Sequence, residues 1–451
     1  MLVATLLVAL VAGALFAGPA AAHAGGLSGA RESLAIPTWL FLLTGGSVVG
    51  ASFLLASFVT DRAFVRAVHG WRRVASVPAE RLVVAGVRTL GVGGLVAVVI
   101  AGLLGPASAT ANLAVLLVWV GWWAGFTISA YLLGDSWPVL NPWRTLAERL
   151  PSLGYEYPER CGAWPGAGAL LGLIWLEVVS PLADDPRLLA GVVLAYTTLT
   201  LAGAVLFGSG TWFDRGDPIS RVFRCYGAVA PIAHDGDRLR LRLPGTGLVE
   251  TRLGTGEVAF VVALLWGTTY DGLVTTPGWR DAATALVGSG VPAPVLYPAA
   301  LFAGFGLFLG VYRLAVRRGR AAAETCRPTS EIARRFAPSL LAIAAGYHLA
   351  HYLGYFLSLA PALIAVAGAP LSPPAATPVL ALPGWFGGIA LAAVLAGHLL
   401  AIWVAHAIAY ELFPSRLQAV RSQYALTAAM VFYTAVSLWV VVQPGVAPPY
   451  V

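Results

Sequence analysis

The chain has 451 residues, 58% of them hydrophobic and only 11% charged, with a mean hydropathy of +0.79. A soluble domain carries about twice that share of charge, which excludes a soluble enzyme or kinase. The net charge of +7 rests on arginine alone, spread over loops without a recognition motif, and this excludes a nucleic-acid-binding protein.

Several continuous apolar runs of about twenty residues predict an all-α fold, a polytopic helical membrane protein. Their continuity argues against a closed barrel. Residues 1–22 read as a signal peptide, an apolar core ending in Pro19 with the small residues Ala20 and Ala22 behind it. No arginine precedes that core, so an uncleaved first span is the alternative. Cleavage after Ala22 leaves His23 as the new N-terminus, where amine and imidazole form a chelating pair for a metal such as copper. The simpler reading is that His23 only flanks the cleavage site.

Residues 23–451 read as one membrane domain with ten spans, at 38–59, 82–104, 111–134, 163–181, 187–207, 257–275, 291–313, 337–362, 385–410 and 423–442. With residue 23 outside, the inner segments are 60–81, 135–162, 208–256, 314–336 and 411–422, and they hold 23 of the 28 arginines. That bias follows the positive-inside rule and sets both ends of the mature chain outside the plasma membrane. The inner segment 208–256 is a decorated loop with an interfacial helix over 218–232 and a short strand over 237–243, and Asp214 and Asp217 serve its turns. Cys161, Cys225 and Cys326 fall in inner loops, where neither a disulfide nor a metal set is expected.

Asp135 follows the third span in GDSWPVLNPWRTL, with Arg144 as its expected partner, Pro142 opening an interfacial helix, and Trp137 and Trp143 suited to the aromatic belt. A structural re-entry turn is the simpler reading there. Glu177 and Asp271 each sit about four residues before the outer end of a span, roughly 6 Å deep. Neither has a basic residue in its own span, so each needs a partner from another helix or from water. Thr268, Thr269 and Tyr270 add hydroxyls beside Asp271.

The natural partners are histidines. His348 and His351 lie three residues apart on one helix, His398 lies as deep in the next span, and His406 lies nearer the inner end. Convergence of His348, His351 and His398, closed by Asp271 or Glu177, would hold a divalent transition metal such as zinc, manganese or copper. The plainer reading is a set of separate interhelical hydrogen bonds. Tyr347, Tyr352 and Tyr355 line the same helix, and Tyr347 is a candidate hydrogen-bond donor to a leaving group. At the inner rim, Glu411, Arg416, Arg421 and Gln423 form a polar edge, with Arg421 anchoring to headgroups or pairing with Glu411. No HExxH, GxSxG or phosphate-binding glycine loop is present.

The AHAGG start, GDSWPVLNPWRTLAE, YEYPERCGAWPGAGALLGLIWLEVVSP, TTYDG, GYHLAHYLGYFL and the AGHLLAIWVAH…RSQYALTAAMVFYT ending together resemble the integral membrane fenitrothion hydrolases of actinobacteria and related prokaryotes. The resemblance spans nearly the whole mature chain. It implies hydrolysis of the P–O aryl bond of an apolar organophosphorus triester within the lipid bilayer. It carries over no assigned catalytic residues, so the histidines and acids rest on the reading above. The alternatives are a transporter or metal-handling permease using the intramembrane His, Asp and Glu, and a structural partner in a membrane complex.

Overall fold

The computed structural model describes residues 38–76, 81–235 and 238–450; the expected signal peptide at 1–22 and His23 lie outside the described residues. A helix occupies each of the ten apolar runs. Helix α1 (Thr38–Phe58) ends in a 113° bend to α2 (Arg62–Gly70), which Asp61 caps by accepting from Ala63 N at 2.7 Å. Strand β1 (Arg72–Ser76) precedes α3 (Arg81–Leu104) and α4 (Leu113–Leu132). Next come α5 (Pro142–Ala147), α6 (Trp164–Val179) and α7 (Pro186–Phe207). The longest inner segment folds into α8 (Pro218–Gly227), β2 (Ile232–Asp235) and β3 (Arg238–Arg242). The remainder is α9 (Glu257–Val274), α10 (Pro277–Gly288), α11 (Ala293–Ala322), α12 (Thr329–Phe336), α13 (Ser339–Ala367), α14 (Gly387–Leu412) and α15 (Arg416–Val441).

Among the described residues, eight helices are long and apolar enough to cross a membrane. Two of the ten expected spans fall outside that set: α1, which continues past its bend into α2, and α6, with only 16 residues.

Helix α9 is the centre. From residue 258 to residue 267 it is apolar on every side, and such a stretch must be buried all round. Its side chains are buried from Ala259 to Gly272, enclosed by α6, α11 and α13. Helices α13 and α14 make the most extensive interhelical contact, because Gly346 and Gly397 let their backbones meet. By contrast α3 is a peripheral helix, held by α4, α5 and α7. Asn112 joins it to α4, donating to Ala101 O at 2.9 Å and Pro106 O at 2.7 Å and accepting from Ala114 N at 2.8 Å.

The five arginine-rich segments gather on one side. Strands β1, β3 and β2 form an antiparallel sheet in that order, with Arg72 opposite Arg242 and Ile232 opposite Leu241, so segments 60–81 and 208–256 are joined. Only the strand around 237–243 was expected. Arg62 donates to Tyr410 O and Phe413 O at 2.7 Å and to Pro414 O at 2.8 Å, capping the end of α14. Arg144 pairs with Asp214 at 3.6 Å rather than with Asp135, whose carboxylate accepts from Trp137 N at 3.0 Å in the re-entry turn. Glu411 pairs with Arg335 at 2.7 Å rather than with Arg421, which reaches Glu324 at 3.4 Å. On the opposite side, Tyr297 donates to Pro449 O at 2.5 Å and Val446 N to Thr275 O at 2.8 Å, tying down the C-terminal segment.

Candidate functional site

A cavity of about 510 Å3 lies between α3, α4, α6, α7, α8 and α9. Its walls are mainly apolar and aromatic, with Trp122, Trp123, Phe126, Trp143 and Phe223 prominent. Among the described residues Glu177 from α6 and Asp271 from α9 are its only carboxylates, and no arginine or histidine lines it. Residues Leu116–Phe126 of α4 wind as a π-helix, which brings Trp122, Trp123 and Phe126 to the wall. Gly125 allows that segment to touch α13, since a Cβ there would lie 2.6 Å from the Phe356 ring.

Asp271 is buried one turn before the end of α9. Tyr352 donates its hydroxyl to Asp271 Oδ2 at 2.7 Å, and His351 Nε2 lies 3.3 Å from the same oxygen. The two partners are neighbours on α13. Tyr347 stacks on the His351 ring at 6.0 Å, and its hydroxyl occupies the space over Gly272, where a Cβ would come within 2.3 Å. Glu177 is close enough to Asp271 to interact electrostatically. The structure therefore brings Asp271, His351, Tyr352 and Tyr347 together, and Glu177 lines the same cavity as Asp271. Thr268 and Thr269 turn their hydroxyls back to Leu265 O at 3.0 Å, and Tyr270 donates to Tyr297 O at 2.9 Å, so these three hydroxyls serve the helix and its neighbour.

His348 faces another way. Its Nδ1 is 3.3 Å from the Tyr131 hydroxyl, and the rings of Trp123, Tyr131, Tyr226 and Tyr352 surround it. Its Nε2 has no hydrogen-bond partner among the described residues. His398 donates Nδ1–H to Val394 O in its own helix at 2.8 Å, and His406 donates Nε2–H to Val59 O at 3.0 Å, holding the end of α1. The three histidines expected to converge on an ion are thus engaged in three different places. Among the described residues no three His, Cys, Asp or Glu side chains stand close enough together to hold a metal. The reason is rotational: three residues along a helix leave side chains about 60° apart, enough to send His348 toward α4 and His351 toward α9.

At the arginine-rich end of the same region, Asp135 is held in the turn after α4, and burial raises its pKa to about 6. Gly227 gives it room, since a Cβ there would lie 2.3 Å from Asp135 Cβ. Nearby, Asp217 is buried and caps α8 by accepting from Ser220 N at 2.8 Å; it also accepts from the Tyr196 hydroxyl. Burial raises the Asp217 pKa as well.

Sequence reasoning singled out the acids and the tyrosines of α13 but missed Trp123, Tyr131 and Tyr226 around His348. The available signal was WVGWWAGF, a run of tryptophans with two glycines in the middle of a span. No family model, curated protein or solved structure matches the chain.

Proposed function

We propose that this is a plasma-membrane protein of ten spans, with mature termini outside, that admits an apolar ester to its cavity and hydrolyses it at Glu177 and Asp271. The observation that carries this reading is an apolar cavity whose only carboxylates, among the described residues, belong to that pair. An apolar wall binds a hydrophobic body by burial, and a few polar groups orient it. The side reading also draws on the arginine bias, and the substrate class on the resemblance to fenitrothion hydrolases, which implies an organophosphorus triester.

With one carboxyl of the pair ionised and the other protonated, the arrangement suits general acid–base chemistry. The ionised group takes a proton from water as the water oxygen bonds to phosphorus. The bond from phosphorus to the aryl oxygen breaks, and the protonated carboxyl supplies the proton to the departing aryloxide. Tyr352 and His351 orient Asp271. No step is assigned to a metal, because the described histidines do not form a ligand set. The test is release of nitrophenol from diethyl 4-nitrophenyl phosphate by purified protein in detergent. Turnover that Asp271→Asn abolishes supports the reading; no turnover, or turnover equal in the variant, removes it.

A second reading, transport coupled to proton movement, draws on one further arrangement. Polar side chains succeed one another from Tyr226 through Tyr131 to His348, Tyr352 and Asp271, and Asp135 stands against Gly227, the residue after Tyr226. Proton flux into sealed vesicles in the absence of ester turnover would favour it.

A further inference from the structure

A second pocket, of about 450 Å3, opens on the arginine-rich side between Arg252, α12 and the end of α14. Arg252, Arg327, Arg334 and Arg335 line it together with Glu331 and Glu411. Both acids are already matched: Arg327 donates to Glu331 at 2.5 Å and Arg335 Nη2 to Glu411 at 2.7 Å. Arg252 reaches Glu411 only at 3.8 Å, from a largely exposed side chain whose Nη1 also donates to Val249 O at 2.8 Å, leaving Nη2 the freer nitrogen. Arg334 makes no ion pair among the described residues. Arg335 Nη1 is buried and has no hydrogen-bond partner among them. A buried guanidinium N–H without an acceptor is costly, and here it sits in a pocket whose arginines outnumber its acids. Leu253 and Leu412 give the same pocket an apolar edge.

We propose that this pocket binds a phosphate group, with Arg335 Nη1, Arg334 and Arg252 as its donors. Guanidinium forks match phosphate oxygens in geometry and charge, and they do so best where water is partly excluded. The phosphate belongs either to an anionic lipid headgroup, whose chains would lie along the leucine edge, or to a soluble phosphate. The chemistry of recognition is shared.

The experiment uses the full chain. Retained lipid is counted by native mass spectrometry after reconstitution in phosphatidylcholine nanodiscs with and without phosphatidylglycerol, and inorganic phosphate is titrated calorimetrically in detergent. The double variant Arg252→Gln/Arg334→Gln alters two exposed side chains, and an unchanged thermal midpoint reports that it folds. The expected result is one bound phosphate group per chain, held about tenfold more weakly by the double variant and more tightly by Glu411→Gln. Retention of phosphatidylglycerol that inorganic phosphate does not displace identifies the headgroup; saturable inorganic phosphate with no lipid retained identifies the soluble source. Binding of neither probe, or binding unchanged in the folded double variant, overturns the proposal.

Discussion

Gly346 and Gly397 face each other where α13 crosses α14, and a Cβ built on Gly397 would lie 2.9 Å from Gly346 Cα and 2.6 Å from Ala342 O. These neighbours are backbone atoms, so they cannot swing aside. The crossing sets the rotation of both helices, and with it the directions of His348, His351 and His398. Gly397→Val is therefore expected to destabilise the protein by about 3 kcal/mol or more, seen as a lower thermal midpoint in detergent. A midpoint equal to that of the wild type would mean that the crossing is free to relax.

The proposed hydrolysis predicts a graded loss of ester turnover across variants of the acid pair. Asp271→Asn and Glu177→Gln should each lower kcat by about 100-fold or more, the usual worth of a general acid or base. Tyr352→Phe, which removes only the hydroxyl that orients Asp271, should cost about tenfold. Single-turnover release of nitrophenol orders the three variants. A Tyr352→Phe loss as deep as that of Asp271→Asn would count against a merely positioning role for the tyrosine.

Asp135 makes stability depend on pH in a direction opposite to that of most carboxylates. Its folded pKa of about 6 lies above the ordinary value of 3.8. Protonation is thus favoured in the folded state, and the folded protein loses stability as pH rises from about 4 to about 6. The cost is complete above that window, on the order of 1–2 kcal/mol after allowing for partial solvation. Asp135→Asn keeps an acceptor for Trp137 N and should be the more stable protein at pH 7.5, with no advantage at pH 4. Unfolding curves at the two pH values decide it.

Arg62 holds three carbonyl oxygens at the end of α14. Replacing it with alanine leaves those oxygens without their charged donor, for a loss of about 2 kcal/mol. Arg62→Lys should recover only part of this, because an ammonium does not span the same fork. Thermal midpoints of the two variants should therefore fall in the order alanine, lysine, wild type.

Sidedness can be read from the cysteines. Cys326 is exposed in the arginine-rich segment between α11 and α12, whereas burial pushes the Cys225 thiol up to about 12 and keeps it unreactive. A membrane-impermeant maleimide should label Cys326 in inverted vesicles and not in intact cells. Labelling from the outside would reverse the proposed orientation.

The membrane helices were legible because a run of apolar residues long enough to cross lipid has few other uses. Direction around each helix was not. His348 and His351 share a face by spacing, yet the remaining rotation of about 60° separates an aromatic box from an acid partner. The sheet was half visible: alternation marked 237–243, but pairing with Arg72–Ser76 joins segments far apart in the chain, and arginine-rich strands carry little apolar signal. The π-helical turns of Leu116–Phe126 depend on contacts with α13 and leave no periodicity that distinguishes them from an ordinary span.

Helix α6, with its 16 residues, rises only about 24 Å, short of the roughly 30 Å of a bilayer's hydrocarbon core. If α6 crosses the membrane as proposed, lipid beside it would thin or one end of the helix would stay uncovered, and Glu177 lies two residues from the Val179 end. Bilayer thickness thereby becomes a variable of the acid pair's surroundings. Shorter acyl chains would match α6 and bring the aqueous boundary close to Glu177, while longer chains would draw hydrocarbon over it, so that membrane composition would set how wet the proposed chemistry is.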